Sequence, residues 1–419
     1  MGASPERSNR RIVVLCPHFA PDTAPTGTVM TRIVEELTAL GHEVHVVTSL
    51  PWYRRHRVEG EWTGRRVRCE QTEWGSITRV TPFPGGDRSN IVRRAAGFIG
   101  FSLLAGFQAL RAGRAMTRID VVVAMSPPLT LGLTGWLVSR LRRGRLVFNI
   151  QDVFPDAAIE TGAIRNRWVI AVARALERAS YRAADAVTVL SDDLRTNVIA
   201  KVPAGHSAAV HTIPNFVDTD EIVPSDRMTD YRRELGLGAE AVVLYAGNVG
   251  FSQSLDLVIA AARELPDVSF VINGEGSARP QVEADAADVA NLVVADYVPA
   301  SRLAELLATG DVHVVPLRSG LGRVSVPSKT YSIMAAGRPV LAAIDEDTVV
   351  PQTLDDSGSG ISVPPDDPTA FVDAVREMVA DPERAAGMGR NGRAWVEKHA
   401  SPTAVGAAYD TLIGTLSRR

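Results

Sequence analysis

Lys329 stands in the segment "VPSKTYSIMAAGRPV" (326–340), where a helix is expected to begin. Ser328 is a preferred N-cap, and Pro327 is tolerated where no amide bond is needed. A helix N-terminus carries partial positive charge, so a lysine in its first turn costs roughly 0.3–1 kcal/mol. An anion reverses that balance. A charge-assisted hydrogen bond contributes about 1.5–3 kcal/mol, and the amides of Ser328, Lys329 and Thr330 would add to it. The segment reads as a cradle for a diphosphate; the competing reading is a lysine extended into solvent.

Two further turns could hold a polar ligand. "YAGNVGFSQSLDLVIAA" runs from strand to helix through Gly247, Asn248 and Gly250. Small turns of this kind expose backbone amides to phosphate, although a purely structural tight turn has the same pattern. "VINGEGSARP" places Asn273, Gly274, Glu275 and Gly276 after another strand. In the first half, "PHFAPDTAPTGTVMTRIVEEL" offers His18, Asp22, Thr26, Gly27 and Thr28. "NIQDVFPDAAIETG" puts Asp152 at a strand end, where a carboxylate can orient or deprotonate an acceptor hydroxyl or simply cap a helix. Neither a P-loop nor a dinucleotide fingerprint is present, which weakens ATPase and dehydrogenase readings. Asp218–Asp220 and Asp345–Asp347 read as surface loops rather than metal ligands, and no cofactor or metal is expected.

The elements that must position these residues are short β-branched runs alternating with helical patterns. The first half contains "RIVVLCP", "EVHVVTS", "DVVVAMS", "RLVFNI", "AVTVLS" and "VHTIPNF"; the second contains "AVVLYAG", "VSFVING", "NLVVADYV", "DVHVVPL", "RPVLAAI" and "SGISVPP". Near-continuous apolar runs between helices mean parallel strands covered on both faces. Two such sets predict an α/β protein of two doubly wound domains, each binding ligands at the carboxyl ends of its strands. The length of 419 residues suits two domains. The Pro- and Asp-rich stretch "IPNFVDTDEIVPSD" marks the boundary, at 217–225. The last helix is expected to start at Pro402 after Ser401, with Val405, Tyr409, Leu412 and Leu416 on one face.

Two cysteines, Cys16 and Cys69, exclude a disulfide framework or a zinc site and suit a reducing compartment. No signal-peptide pattern precedes the first strand, so a cytoplasmic protein is expected. The net charge of −3 conceals a division: residues 1–210 hold 28 Lys+Arg against 18 Asp+Glu, and the remainder 17 against 30. Ala95–Leu110 has only Ser102 and Gln108 as polar residues. It is short for a membrane span of about 20 residues. Arg93 and Arg94 precede it, Arg111 and Arg114 follow, and Arg140, Arg142, Arg143 and Arg145 lie nearby in sequence. Residues 91–114 with those arginines suit an anionic membrane surface, the alternative being a buried helix. Nucleic acid is not expected, because aromatic residues do not interleave with the basic ones.

"FAPDTAPTGTVMTRIVEELTALGHEVHVVTSLPWY", "SPPLTLG", "QDVFPDAAIETG", "IPNFVD", "YAGNVGFSQSLDLVIAA", "INGEG" and "VPSKTYSIMAAGRPVLA" follow one another in this order. Together they resemble the retaining glycosyltransferases of family 4, in particular a subgroup that builds surface polysaccharides and O-antigens. The resemblance implies a GT-B fold, with two Rossmann-like domains facing a central cleft and a C-terminal helix crossing back to the first. It assigns residues 1–217 plus 400–419 to an acceptor domain and 218–399 to a nucleotide-sugar donor domain. Donor-binding residues are expected to be Gly27, Thr28, Gly247, Asn248, Gly250, Asn273, Glu275, Tyr297, Arg318, Ser328, Lys329, Thr330 and Ser332. Lys329, Asp152 and His18 form the expected catalytic set.

The chain departs from the wider family: its glutamate pair falls on Val324 and Ser332, and the phosphate-loop Arg and Lys on Asn248 and Gln253. Gln151 replaces the histidine before Asp152. The implied activity is metal-independent, retaining transfer of a hexosyl or N-acetylhexosaminyl group, from a UDP-linked donor to a lipid-linked acceptor, at the inner face of the plasma membrane. A catalytically inactive binding homologue and a sugar-nucleotide epimerase of the same fold are the alternatives.

Overall fold

The computed structural model describes residues 9–54, 57–64, 66–82, 91–156, 159, 164, 166–321 and 327–418, with the backbone alone at 91–95, 204, 207 and 208. The Arg93 and Arg94 side chains, Val324 and most of 157–163 lie outside them. The chain forms two compact units, Met1–Asn215 with Val405–Arg419, and Phe216–Ala404.

Among the described residues the first unit has eight strands: β1 (Arg11–Leu15), β2 (Glu43–Ser49), β3 (Val67–Thr72), β4 (Gly75–Val80), β5 (Val121–Ser126), β6 (Arg145–Ile150), β7 (Ala186–Val189) and β8 (Val210–Thr212). Their order is β3-β4-β2-β1-β5-β6-β7-β8. All pairs are parallel except β3 with β4. The chain steps to one side of β1 for β2 and to the other for β5, so the switch point lies between β1 and β5. Both faces of the central strands are covered: Val13, Leu15, Val122, Ala124, Phe148 and Ile150 are buried in a cluster on one face, and Ile12, Val14, Val121, Val123 and Val147 are buried on the other. Helix Pro25–Ala39 opens with proline and packs through Met30, Ile33, Val34 and Leu37, a three-to-four-residue spacing.

The β3–β4 hairpin corrects the expectation of about six strands. β3 is an edge strand whose Arg68 and Cys69 are exposed and whose Glu70 is half-buried, so no apolar run announces it. Helix Pro402–Ser417 returns to this unit. Val405, Tyr409, Leu412, Ile413 and Leu416 are buried, and the Asn149 Nδ2 donates to Tyr409 Oη at 2.7 Å.

The second unit holds β9 (Val242–Ala246), β10 (Ser269–Asn273), β11 (Leu292–Ala295), β12 (Val312–Pro316), β13 (Val340–Ala343) and β14 (Gly360–Val363). They run parallel in the order β11-β10-β9-β12-β13-β14, with the switch point between β9 and β12. The unit begins two residues before the expected boundary and ends five after it, at Ala404. Its entering and leaving segments are joined by the Val217 amide, which donates to Ala400 O at 2.9 Å.

Candidate active site

In the second unit the loops after β9, β10 and β12 meet at the switch point. Lys329 reaches from the loop and helix after β12 toward β9, where its Nζ donates to Tyr245 Oη at 2.9 Å and lies 4.1 Å from that ring's centroid. Tyr245 in turn donates to Asn248 O at 2.6 Å. Gly247 has φ +145°, and a Cβ there would stand 2.9 Å from Lys329 Nζ. Only glycine both adopts that backbone and leaves the ammonium its place.

Burial pulls the Lys329 amine down from its ordinary 10.5 to about 8 and pushes the Tyr245 phenol up. Lys329 meets no carboxylate among the described residues. Neighbouring cations are differently placed. Arg279 is engaged by Glu275, Glu283 and Asp296, and Arg318 by Asp256 and Asp366. Lys329 is therefore a desolvated cation awaiting a counter-charge, at the strand ends where doubly wound sheets take ligands.

The backbone amides contribute less than the sequence suggests. Helix Lys329–Ala335 has Ser328 as N-cap, but Ser328 is in the αR region and makes no side-chain cap. The Thr330 amide already donates to Pro327 O and the Tyr331 amide to Ser328 O, both in a tight turn. Thr330 is buried, its hydroxyl turned from solvent and without a partner among the described residues. The cradle thus rests on the lysine and the glycine loops rather than on Thr330.

Asn273 also differs from expectation. It is fully buried, and its Nδ2 donates to Tyr231 Oη and Asp296 O, so it fixes the end of β10 from beneath. Its carbonyl receives the Gly247 amide, while the Glu275 carbonyl receives that of Val249; the two loops are stitched together. Glu275 is exposed and paired with Arg279, and Tyr297 is exposed and bears electrostatically on Tyr245.

In the first unit the loop after β1 holds His18 Nδ1 at 2.7 Å from the buried Asp22 Oδ2. Asp22 Oδ1 receives the Tyr53 amide, and the His18 ring stacks on Trp52 at 5.5 Å. Asp22 thereby holds the imidazole through Nδ1 and fixes its orientation. Gly27 is buried; a Cβ there would sit 2.9 Å from His18 Cβ, so the glycine lets the helix pack against this loop. Thr28 is exposed. Asp152 is exposed after β6, and desolvation by its surroundings raises its carboxyl above the usual range.

Residues 26–215 match the family described as Glycosyl transferase 4-like domain, and residues 240–381 the one described as Glycosyl transferases group 1. The chain belongs to the family 4 glycosyltransferases. It is 26% identical over 390 residues to the "Putative colanic acid biosynthesis glycosyl transferase WcaI" of Escherichia coli K12, covering 89% of this chain and 93% of that one. Among solved structures it resembles sucrose-phosphate synthase from Thermosynechococcus elongatus (TM-score 0.70, 18% identity, 97% and 99% of the two chains). It also resembles HepE of Anabaena in complex with UDP-glucose (TM-score 0.63, 15% identity, 98% and 100%). These neighbours establish two Rossmann-like domains of the GT-B fold.

Within this glycosyltransferase, Ser332 lies one turn beyond Lys329 and is half-buried. At the position of the phosphate-loop lysine, Gln253 Oε1 accepts the Gly250 amide at 3.1 Å and braces the turn. Asn248, at the arginine position, is exposed. Gln151 is committed to structure: Nε2 donates to Asn149 and Oε1 accepts from Asn215. Tyr245 is the residue that sequence reasoning missed. It read as one more apolar strand position, and only its place before Gly247 hinted at the loop.

Proposed function

We propose that this glycosyltransferase moves a sugar from a nucleoside diphosphate donor, UDP-linked, to a hydroxyl of a lipid-linked saccharide during cell-surface polysaccharide synthesis, with retention of configuration and without a metal. The observation that carries this reading is the uncompensated Lys329 ammonium held over the Gly247 turn. Charge builds on the leaving diphosphate as the anomeric bond breaks, and a pre-placed cation in a desolvated site stabilises it most. The acceptor hydroxyl attacks from the leaving-group side, and its proton passes to a departing phosphate oxygen. His18, oriented by Asp22, and Asp152 are assigned to the acceptor unit. The relative WcaI supports the polysaccharide role and HepE the UDP-linked donor.

A thermal-shift screen against UDP- and GDP-sugars identifies the donor, and UDP release with lipid-linked acceptors tests transfer. Release that depends on both substrates is expected. Nucleotide binding without release under every acceptor supports the inactive binding homologue instead.

The acceptor's lipid is matched by an exposed apolar and basic surface on the first unit, suited to an anionic membrane. Helix Ile91–Ala109 buries Phe101, Ala105 and Ala109 and exposes Ile99, Leu103 and Phe107, spaced four apart on its other face. The neighbouring helices Thr130–Leu141 and Arg167–Ala183 expose Trp136, Leu137 and Leu141, and Trp168 and Val172. Arg111, Arg114, Arg140 and Arg143 are exposed. Two expected membrane cations are corrected: Arg142 is buried, and Arg145 pairs with Asp185 at 2.9 Å. No helix among the described residues is long and apolar enough to cross a membrane. Flotation with phosphatidylglycerol vesicles is expected to recover the protein. Each basic residue near the surface adds roughly 1 kcal/mol, so Arg140→Glu with Arg143→Glu should weaken recovery at least about tenfold. Unaltered flotation removes this surface from the proposal.

A further inference from the structure

A cavity of about 490 Å³ opens at the amino ends of β9, β12 and β13, the opposite end of the second sheet from Lys329. That volume falls within the range of small-molecule sites, about 300–1,000 Å³. One wall is apolar, formed by Ala241, Val312, Met378, Val379 and Pro382. The other carries Arg227 and Arg338 with Asp311.

The charges on that wall are unevenly matched. Asp311 Oδ2 accepts from Arg227 at 2.8 Å, from the fully buried Arg232 at 3.3 Å and from the Val242 amide at 2.9 Å, so this one carboxylate is shared between two guanidinium groups and an amide. Among the described residues Arg338 bonds to carbonyls only: Nη2 donates to Ser225 O at 2.8 Å and Ala308 O at 2.6 Å, and the buried Nε meets no acceptor. Burial lowers its pKa, and the nearby carboxylates of Asp311 and Asp226 offset that desolvation only in part. A guanidinium left this way beside an apolar hollow favours an anion that carries an apolar body.

We propose that this cavity is a second binding site, separate from the Lys329 cluster, for a small organic anion. The ligand's phosphate or carboxylate oxygens meet Arg338 and Arg227, and its apolar part lies against Val312 and Met378. The site does not depend on the identity of the sugar donor or on transfer activity.

Isothermal titration of the full chain with phenyl phosphate tests this. One site per chain is expected, with Arg338→Met weakening binding at least about tenfold, the scale of losing one charge-assisted pair. Arg338 also holds two backbone carbonyls, so a second variant guards against a folding defect. Ala386→Phe, at the exposed rim of the cavity, narrows the entrance without touching an arginine and should abolish binding. No binding by the wild-type chain, or an affinity unchanged by Ala386→Phe, overturns the proposal. Binding lost in Lys329→Ala but kept in Ala386→Phe overturns it too, because phenyl phosphate then occupies the donor cluster.

Discussion

Lys329→Ala is expected to lower kcat at least about 100-fold while the protein stays folded, the scale of removing one pre-placed donor to a developing anion. Lys329→Met should do the same and, in the ligand-free protein, raise stability. The reason is the cost of the desolvated ammonium. Its folded-state pKa of about 8 lies below the ordinary 10.5, so folding releases a proton between those values. Where the unfolded chain binds more protons, stability rises with pH. The wild-type second unit should therefore gain stability from about pH 8 to 10.5, and below pH 8 it bears the full penalty, on the order of 1–3 kcal/mol.

Removing the amine removes that penalty, so the melting temperature of Lys329→Met at pH 7 should exceed the wild type's by a few degrees. The difference should vanish above about pH 10.5. Nucleotide affinity of the wild type should fall as pH rises through 8, because the neutral amine no longer meets a diphosphate with charge. Calorimetric unfolding and nucleotide titration across pH 6–10 check both slopes. A Lys329→Met variant that is less stable than wild type, or that turns over normally, removes the lysine from the chemistry.

Arg142→Ala is expected to cost the first unit at least about 3 kcal/mol, read as the urea midpoint of that unit. The side chain is 1% exposed, and each of its five N–H groups has an acceptor. Nε donates to Thr117 O, Nη1 to Ala109 O and Ala112 O, and Nη2 to Arg114 O and Thr117 Oγ1. One guanidinium thus ties down the segment after helix Ile91–Ala109, and its loss strands the buried carbonyls of Ala109 and Ala112. Arg143→Ala, one residue on and exposed, should change stability by no more than about 0.5 kcal/mol. The contrast separates the roles: Arg142 for the fold, Arg140 and Arg143 for the membrane surface. Equal midpoints for the two alanine variants contradict this assignment.

The sequence by itself determined the two parallel-sheet halves, because a strand covered on both faces must be apolar throughout, and that is a local property of "VVVAMS" or "AVVLYA". It also determined the buried face of the last helix, whose spacing shows Val405, Tyr409, Leu412 and Leu416 together. Lys329 among glycine turns was legible for the same reason, since the residues that mark it are neighbours in sequence or end neighbouring strands.

What only the tertiary structure decided is the fate of long polar side chains. Arg142 and Arg143 are indistinguishable in "LRRGR", yet one is buried by carbonyls 25–33 residues away and the other meets water. Asn273 looked available to a ligand and is claimed by Tyr231, 42 residues earlier. Tyr245, which seats Lys329 from 84 residues upstream, carries no signal of that role in its own strand. Apolar periodicity is set by the backbone's own repeat, whereas the partner of a buried polar atom is set by whichever distant segment the fold brings beside it.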